Sequence, residues 1–268
     1  MQITYIGHAT LLVRLGERTL LTDPNFDDAL GGFLRRVSAP GIALDALPPL
    51  DAVLLSHAHA DHLSFDSLDR LPREVPVIAP PKVAEWLIRR GYRQTVPLAP
   101  GEDFEIGELT IHAAAATHVG SRYGFDRWRA DANMYLVQCG ERSCFFAGDT
   151  ALTPGTHALV AEEVHARQRT LDVALLPIGH APRWKVNFRR GHLTTDDALE
   201  LFSRLKARYF IPYHWGTFNH VTSTAFEAID RLRATLREHP QGEQVVVLEP
   251  GQAFTLERAA PGGAAVTP

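Results

Sequence analysis

His57-Ala58-His59-Ala60-Asp61-His62 puts four side chains with metal-ligand chemistry into six residues. Imidazole nitrogen suits zinc, iron and manganese, and a carboxylate adds a hard oxygen ligand. The stretch follows Ala52-Val53-Leu54-Leu55, an apolar run that reads as a buried strand. Alternate residues of an extended segment point the same way, so His57, His59 and Asp61 can converge. His62 then joins as the chain turns. The competing reading is a solvated polar loop rich in histidine by chance. It gives no reason for three histidines and an aspartate at this spacing.

Six residues cannot complete two coordination shells. Three further candidates, His118, Asp149 and His214, stand at the ends of apolar runs. Each has a plain alternative: a surface-loop histidine, a turn cap, and a histidine packed between Tyr213 and Trp215. Gly148 would let the backbone approach an ion closely. Asp23, before Pro24, reads equally well as a turn residue and as an acceptor for the other ring N–H of a ligand histidine. No Ser-His-Asp or activated-cysteine arrangement competes with metal chemistry.

These residues need a scaffold. Alternation and turn residues predict strands over 2–6, 10–15, 18–22, 52–55, 75–79, 95–98, 103–106, 109–115, 134–138, 143–147, 172–176, 209–211 and 244–248. Helices are expected over 65–70, 82–90, 156–169 and 223–238, with another starting at Thr194, where Asp197 completes a capping-box spacing. A loop rich in Gly and Pro spans 23–49. No repeat and no composition shift marks a linker, so one domain over 1–258 is expected, with 259–268 lacking structure. Two sheets with outer helices fit that order best.

Bulk properties exclude several classes. The chain has 268 residues with 45% hydrophobic content, enough for a large core. Its 27 basic and 31 acidic residues leave a net charge of −4, which argues against a nucleic-acid surface. No apolar run approaches the roughly 20 residues of a membrane span. The start, Met1-Gln2-Ile3-Thr4-Tyr5-Ile6, alternates like a strand and lacks the plan of a signal peptide. Cys139 and Cys144 flank the hairpin turn Gly140-Glu141, and reduced thiols in a cytoplasmic protein are expected.

Gly7-His8-Ala9-Thr10, Thr22-Asp23-Pro24, the 57–62 motif, His118, Ala147-Gly148-Asp149-Thr150 and His214-Trp215-Gly216-Thr217 together resemble the metallo-β-lactamase superfamily. The resemblance covers most of the chain, from about Ile3 to Trp215. It implies an α+β fold: an αβ/βα four-layer sandwich of two mixed β-sheets flanked by helices, with a dinuclear site along one edge. It further implies that His57, His59 and His118 bind a first metal, that Asp61, His62 and His214 bind a second, and that Asp149 bridges them. Zinc leads as the ion, with manganese and iron as alternatives.

A narrower likeness concerns Leu175-Leu176-Pro177-Ile178-Gly179, Pro182-Arg183-Trp184, Gly191-His192-Leu193, Phe125-Asp126-Arg127 and His214-Trp215-Gly216-Thr217-Phe218. These resemble the branch containing N-acyl phosphatidylethanolamine phospholipase D. The ascorbate-6-phosphate lactonases share the early Gly-His-Ala and Asp-Pro elements.

The resemblance implies catalytic roles for Asp61, which can orient the nucleophile and take its proton, and for His192, as proton donor or oxyanion partner. A surface histidine before a helix is the alternative for His192. His8 supports the metals or the pocket floor, or is structural. His180, Arg183 and Trp184 shape the substrate mouth, or Trp184 simply packs. Lys185, Arg189 and Arg190 form a basic patch expected to attract an anionic, phosphorylated substrate.

The expected activity is dinuclear metal-dependent hydrolysis, by a metal-bridging hydroxide, of a phosphodiester or phosphorylated small molecule. A lactonase or carboxylic-ester hydrolase would use the same site. A non-catalytic binding protein fits less well, because all seven ligand positions are filled. The expected partner is a small-molecule substrate, and assembly with further copies of the chain stays open.

Overall fold

A computed structural model describes residues 1–122, 131–179, 187–219 and 224–257. The first part of the chain runs β1 (Gln2–Gly7), β2 (Thr10–Leu15), β3 (Arg18–Thr22), β4 (Ala29–Leu30), β5 (Leu34–Arg35), β6 (Ala52–Leu54), α1 (Phe65–Arg70), β7 (Val77–Ala79), α2 (Pro81–Arg89) and β8 (Thr95–Pro97). The rest runs β9 (Asp103–Ile106), β10 (Leu109–Ala115), β11 (Asn133–Cys139), β12 (Arg142–Phe146), α3 (Ala158–Val160), β13 (Val173–Pro177), α4 (Thr195–Leu205), β14 (Tyr209–Tyr213), α5 (Glu227–Leu236) and β15 (Ala253–Thr255).

Seven strands form one sheet in the order β15-β1-β2-β3-β6-β7-β8, and six form another in the order β14-β13-β12-β11-β10-β9. Each sheet joins an antiparallel meander to a parallel set. The first changes direction at β3, the second at β12. Alternation along and just past β6 shows how the layers arise. Ala52 and Leu54 enter a core shared by both sheets, whereas Val53 and Leu55 enter a second cluster with Leu68 of α1 and Val83 and Leu87 of α2. On the far side α4 packs against β13 and α5 against α4. Met134, Tyr135, Leu136 and Val137 of β11 are all buried, as expected of a strand covered on both faces. The expected four-layer α+β sandwich of two mixed sheets flanked by helices is what forms.

Local chemistry sets the helix starts. Thr194 caps α4, its hydroxyl accepting the Asp197 N–H at 3.2 Å while the Asp197 carboxylate accepts the Thr194 N–H at 3.1 Å. Ser64 caps α1 by accepting the Ser67 N–H at 3.0 Å. Ala198, Leu201, Phe202 and Leu205 then give α4 one buried face.

Three expectations need correction. The helix expected over 156–169 is broken. It starts as a 3-10 turn (Pro154–His157), where Pro154 lacks a donor, passes through α3, and widens into a π turn (Ala161–His165) that keeps Val160 and Val164 buried. The strand expected over 244–248 is reduced to one parallel bridge, Val245 to Phe210, with the Val246 N–H donating to the Phe210 carbonyl at 2.8 Å. The next rung of that ladder would need an N–H from Pro212, which has none. Finally, the loop over 23–49 contains the β4–β5 hairpin, a sheet of its own. Among the described residues, no helix is long and apolar enough to cross a membrane. Cys139 and Cys144 are both free thiols, since hairpin pairing sets Cys139 opposite Arg142 and Cys144 opposite Val137.

Candidate metal centre

The candidate ligands sit where strands end. His57, His118 and Asp149 each lie three residues past β6, β10 and β12, and His214 directly follows β14. Loops leaving a rigid scaffold in this way are where functional side chains concentrate. The strand does not continue through 57–62, and the chain turns over 60–62. The His59 carbonyl accepts the N–H groups of His62 at 3.1 Å and Leu63 at 2.8 Å. The turn, not extended alternation, therefore splits the motif. His57 and His59 gather with His118 and Asp149, while Asp61 and His62 gather with His214 and His8. Within each group the ligand atoms lie within 4.8 Å of one another.

Asp149 reaches both groups. Its Oδ2 is 3.4 Å from His62 Nε2 and 3.5 Å from His214 Nε2, while its own group holds His57, His59 and His118. The fit to metal rests on atoms left over. His57 Nε2, His62 Nε2, His214 Nε2 and Asp149 Oδ1 are buried with no hydrogen-bond partner. Buried polar atoms are rarely left unpaired, and four in one place match the donor set that divalent cations take.

The other ring nitrogens are engaged. His62 Nδ1 meets Asp23 Oδ2 at 2.7 Å, His57 Nδ1 meets Ser56 Oγ at 2.9 Å, and His118 Nδ1 meets the Gly191 carbonyl at 2.7 Å. With the proton on Nδ1, the Nε2 lone pairs of His57 and His62 are free to bind an ion, while His118 Nε2 meets His59 Nδ1 at 3.2 Å. Asp23 adopts φ +33 where the chain bends after β3, and its buried carboxylate also accepts the Ser56 N–H at 2.7 Å and the Ser56 hydroxyl at 2.5 Å. With φ +55, a Cβ at Gly148 would lie 2.6 Å from Ser56 Cβ, so the glycine lets the backbone pass close to Ser56.

His8 stands within the second group. Its Nε2 is 2.9 Å from Asp61 Oδ2, and its carbonyl accepts the His214 N–H at 2.9 Å. The His8 and His214 rings pack with centroids 3.9 Å apart. His192 stands at the rim: Nε2 is 3.5 Å from Asp149 Oδ2, and the ring stacks on Phe188 at 4.8 Å.

Electrostatics follow from burial and these charges. Burial opposes ionisation of Asp149, yet the charges of His214 and His62 outweigh it and hold the carboxyl well below its usual range. Burial also opposes the charged form of His214, but Asp149 pushes its pKa up to about 9. His57 falls well below 6.5, chiefly through burial and then through its histidine neighbours. His118 is lowered to about 4 mainly by burial.

A cavity of about 410 Å³ opens beside His8, Asp61 and His214. Leu30, Phe33, Leu34, Phe188, Trp215 and Phe218 supply much of its wall. Of the expected basic entrance, Arg190 is exposed and Arg189 is paired. Arg189 Nε is 3.2 Å from an Asp197 carboxylate oxygen at the start of α4, so its charge is already matched. Lys185, His180, Arg183, Trp184 and Phe125-Asp126-Arg127 lie outside the described residues. Sequence reasoning missed Ser56, whose signal was its place directly before His57, and Asn25, whose amide donates to the Ala60 carbonyl at 2.8 Å.

Comparison with known proteins agrees with this geometry. A family model described as "Beta-lactamase superfamily domain" matches residues 18–215. N-acyl-phosphatidylethanolamine-hydrolyzing phospholipase D 1 of Caenorhabditis elegans is 29% identical over 271 residues, covering 94% of this chain and 74% of that protein. A UPF0173 metal-dependent hydrolase of Desulforamulus reducens is 30% identical, covering 96% of this chain and all (100%) of that protein. In fold the chain is similar to Igni18, a metallo hydrolase of the archaeon Ignicoccus hospitalis, with a TM-score of 0.71 at 21% identity over 96% of this chain and 99% of that one. With its clustered histidines and aspartates on this scaffold, the chain belongs to the β-lactamase superfamily and is a metal-dependent hydrolase.

Proposed function

We propose that this chain is a dinuclear hydrolase of a phosphodiester or phosphorylated small molecule. The observation that carries the reading is Asp149 reaching two adjoining His/Asp groups in which His57, His62 and His214 Nε2 are unpartnered. His57, His59 and His118 would hold one ion and Asp61, His62 and His214 the other, with Asp149 between them. Zinc suits five histidines and two aspartates, and manganese or iron also fits. When bound, two such ions supply hydroxide from water near neutral pH and accept charge on a phosphoryl oxygen.

The chain's own residues do the rest. Asp61 Oδ2 is held by His8, which leaves the other carboxylate oxygen to orient a nucleophile and take its proton. His192 Nε2, beside Asp149 and braced by Phe188, is placed to give a proton to the leaving oxygen. Pairs of ions are a recurrent solution for in-line displacement at phosphorus. The phospholipase D relative supports the same choice, at 29% identity. The reading treats 1–258 as one hydrolase domain in a reducing cytoplasm, in keeping with two free thiols.

The test is turnover of bis-p-nitrophenyl phosphate, p-nitrophenyl phosphate and a sugar lactone by protein loaded with zinc or manganese. Phosphoester hydrolysis should dominate. Lactone turnover with inert phosphoesters would replace this reading with a lactonase.

A further inference from the structure

We infer that the substrate carries one apolar substituent, and that the β4–β5 hairpin selects it. This rests on the hydrolytic reading above and names what its substrate must look like. Two observations carry it. First, the ionisable groups among the described residues lining the 410 Å³ cavity are His8, Asp61 and His214, all at the metal end. A reacting ester group held there leaves its substituent facing the rings of Phe188, Trp215 and Phe218, which favour an apolar group. The volume sits low in the range of roughly 300–1,000 Å³ for small-molecule sites, which suits one aryl or medium alkyl group.

Second, the remaining wall is a separate element. The β4–β5 hairpin pairs Ala29 with Arg35 and Leu30 with Leu34, joins neither large sheet, and turns through Gly31 and Gly32 at φ +58 and +80. It gives Leu30, Phe33 and Leu34 to the cavity, and Phe33 is 74% exposed at the tip. An aromatic ring left in water beside an apolar cavity gains contact when a ligand fills that cavity. Arg36 registers the hairpin. Its guanidinium donates to the Asp27 and Asn25 carbonyls, both at 2.8 Å, and lies 4.9 Å from the Phe218 ring centroid. The Val37 N–H donates to the Thr217 carbonyl at 2.8 Å, tying the hairpin to the loop that carries His214. The hairpin is therefore seated against the loop that carries His214.

The experiment is calorimetric titration of the zinc-loaded full chain with octylphosphonate and methylphosphonate, with octanoate and acetate in parallel. The octyl ligand should bind about tenfold or more tightly than the methyl ligand. Leu34→Gln should cut that ratio about threefold or more. Phe33→Ser, at a position too exposed to threaten folding, should lower it in the same direction. Zinc content and circular dichroism verify that both variants fold. Ratios near one with both ligand pairs, or a ratio that neither substitution moves, overturn the proposal. A large octanoate-to-acetate ratio without phosphonate binding keeps the cavity assignment and overturns the phosphodiester reading instead.

Discussion

His62 Nδ1 lies 2.7 Å from Asp23 Oδ2, and neither side chain reaches solvent. The same carboxylate oxygen accepts the Ser56 hydroxyl, whose oxygen in turn meets His57 Nδ1 at 2.9 Å. One carboxylate thus orients a histidine in each ligand group. Asp23→Asn should weaken metal binding about 10–100-fold, the usual loss when such a partner is removed. Ser56→Ala should cost less and act on the group containing His57. Competition with a chromogenic chelator measures both, and undiminished affinity in Asp23→Asn would mean the rings hold their orientation without it.

Asp149→Ala removes the carboxylate that reaches both groups. Bound metal should fall from two ions per chain, and turnover of any substrate should be abolished. Elemental analysis beside an activity assay reads the two effects together. Near-full activity would show the bridge to be misassigned.

In the metal-free chain, burial disfavours the charged forms of His214 and His62. Asp149 outweighs this, taking His214 to about 9 and, with Asp61, His62 well above 6.5. Both therefore bind protons more tightly folded than unfolded. Their contribution to stability is complete below pH 6.5 and is lost as pH rises through about 9. Metal must displace the same protons, so metal affinity runs the other way and grows across that window. The Tm of metal-free protein should fall from pH 6.5 to 9 while the gain in Tm on adding zinc increases. A flat metal-free Tm would show these imidazoles to be neutral.

Tyr135 of β11 donates to the Leu55 carbonyl at 2.7 Å, linking the second sheet to the first two residues before His57. Tyr135→Phe strips the donor from a buried carbonyl, so unfolding in urea should report a loss of about 1–3 kcal/mol. A loss below the error of the measurement would mean that water replaces the hydroxyl.

His192→Gln should slow hydrolysis of esters with alkoxide leaving groups by about 10²–10⁴, the usual contribution of a positioned acid. Esters of p-nitrophenol need no such help and should be affected less. Equal losses on both classes would point to a binding role.

Legibility varied with the distance over which each feature is decided. Alternation placed β2, β3, β9 and β10 with their observed bounds, and the 57–62 motif with His118, Asp149 and His214 could be read because each stands beside a strand. The end of pairing at Val245 could not, because the cause is Pro212, far away in the chain. Arg189 and Asp197 were both visible, but their contact was not, and it pairs one cation of the expected basic patch with the start of α4. The short β15, Ala253–Thr255, gains its identity only by pairing with β1, and β4–β5 likewise has too few residues for a periodic signal. Ser56 reads as filler until the fold brings Asp23 behind it.

His8 and His214 both adopt left-handed backbone, at φ +55 and +68, a conformation that glycine enters freely and histidine does not. Glycine would be the easier residue at either place but could supply no imidazole. Each position therefore holds of order 1–3 kcal/mol of conformational energy that the surrounding sheets must offset. Stability and activity are set against each other at these two residues. Relaxing the backbone at His214 would at the same time strip the buried Asp149 of an imidazole partner 3.5 Å away.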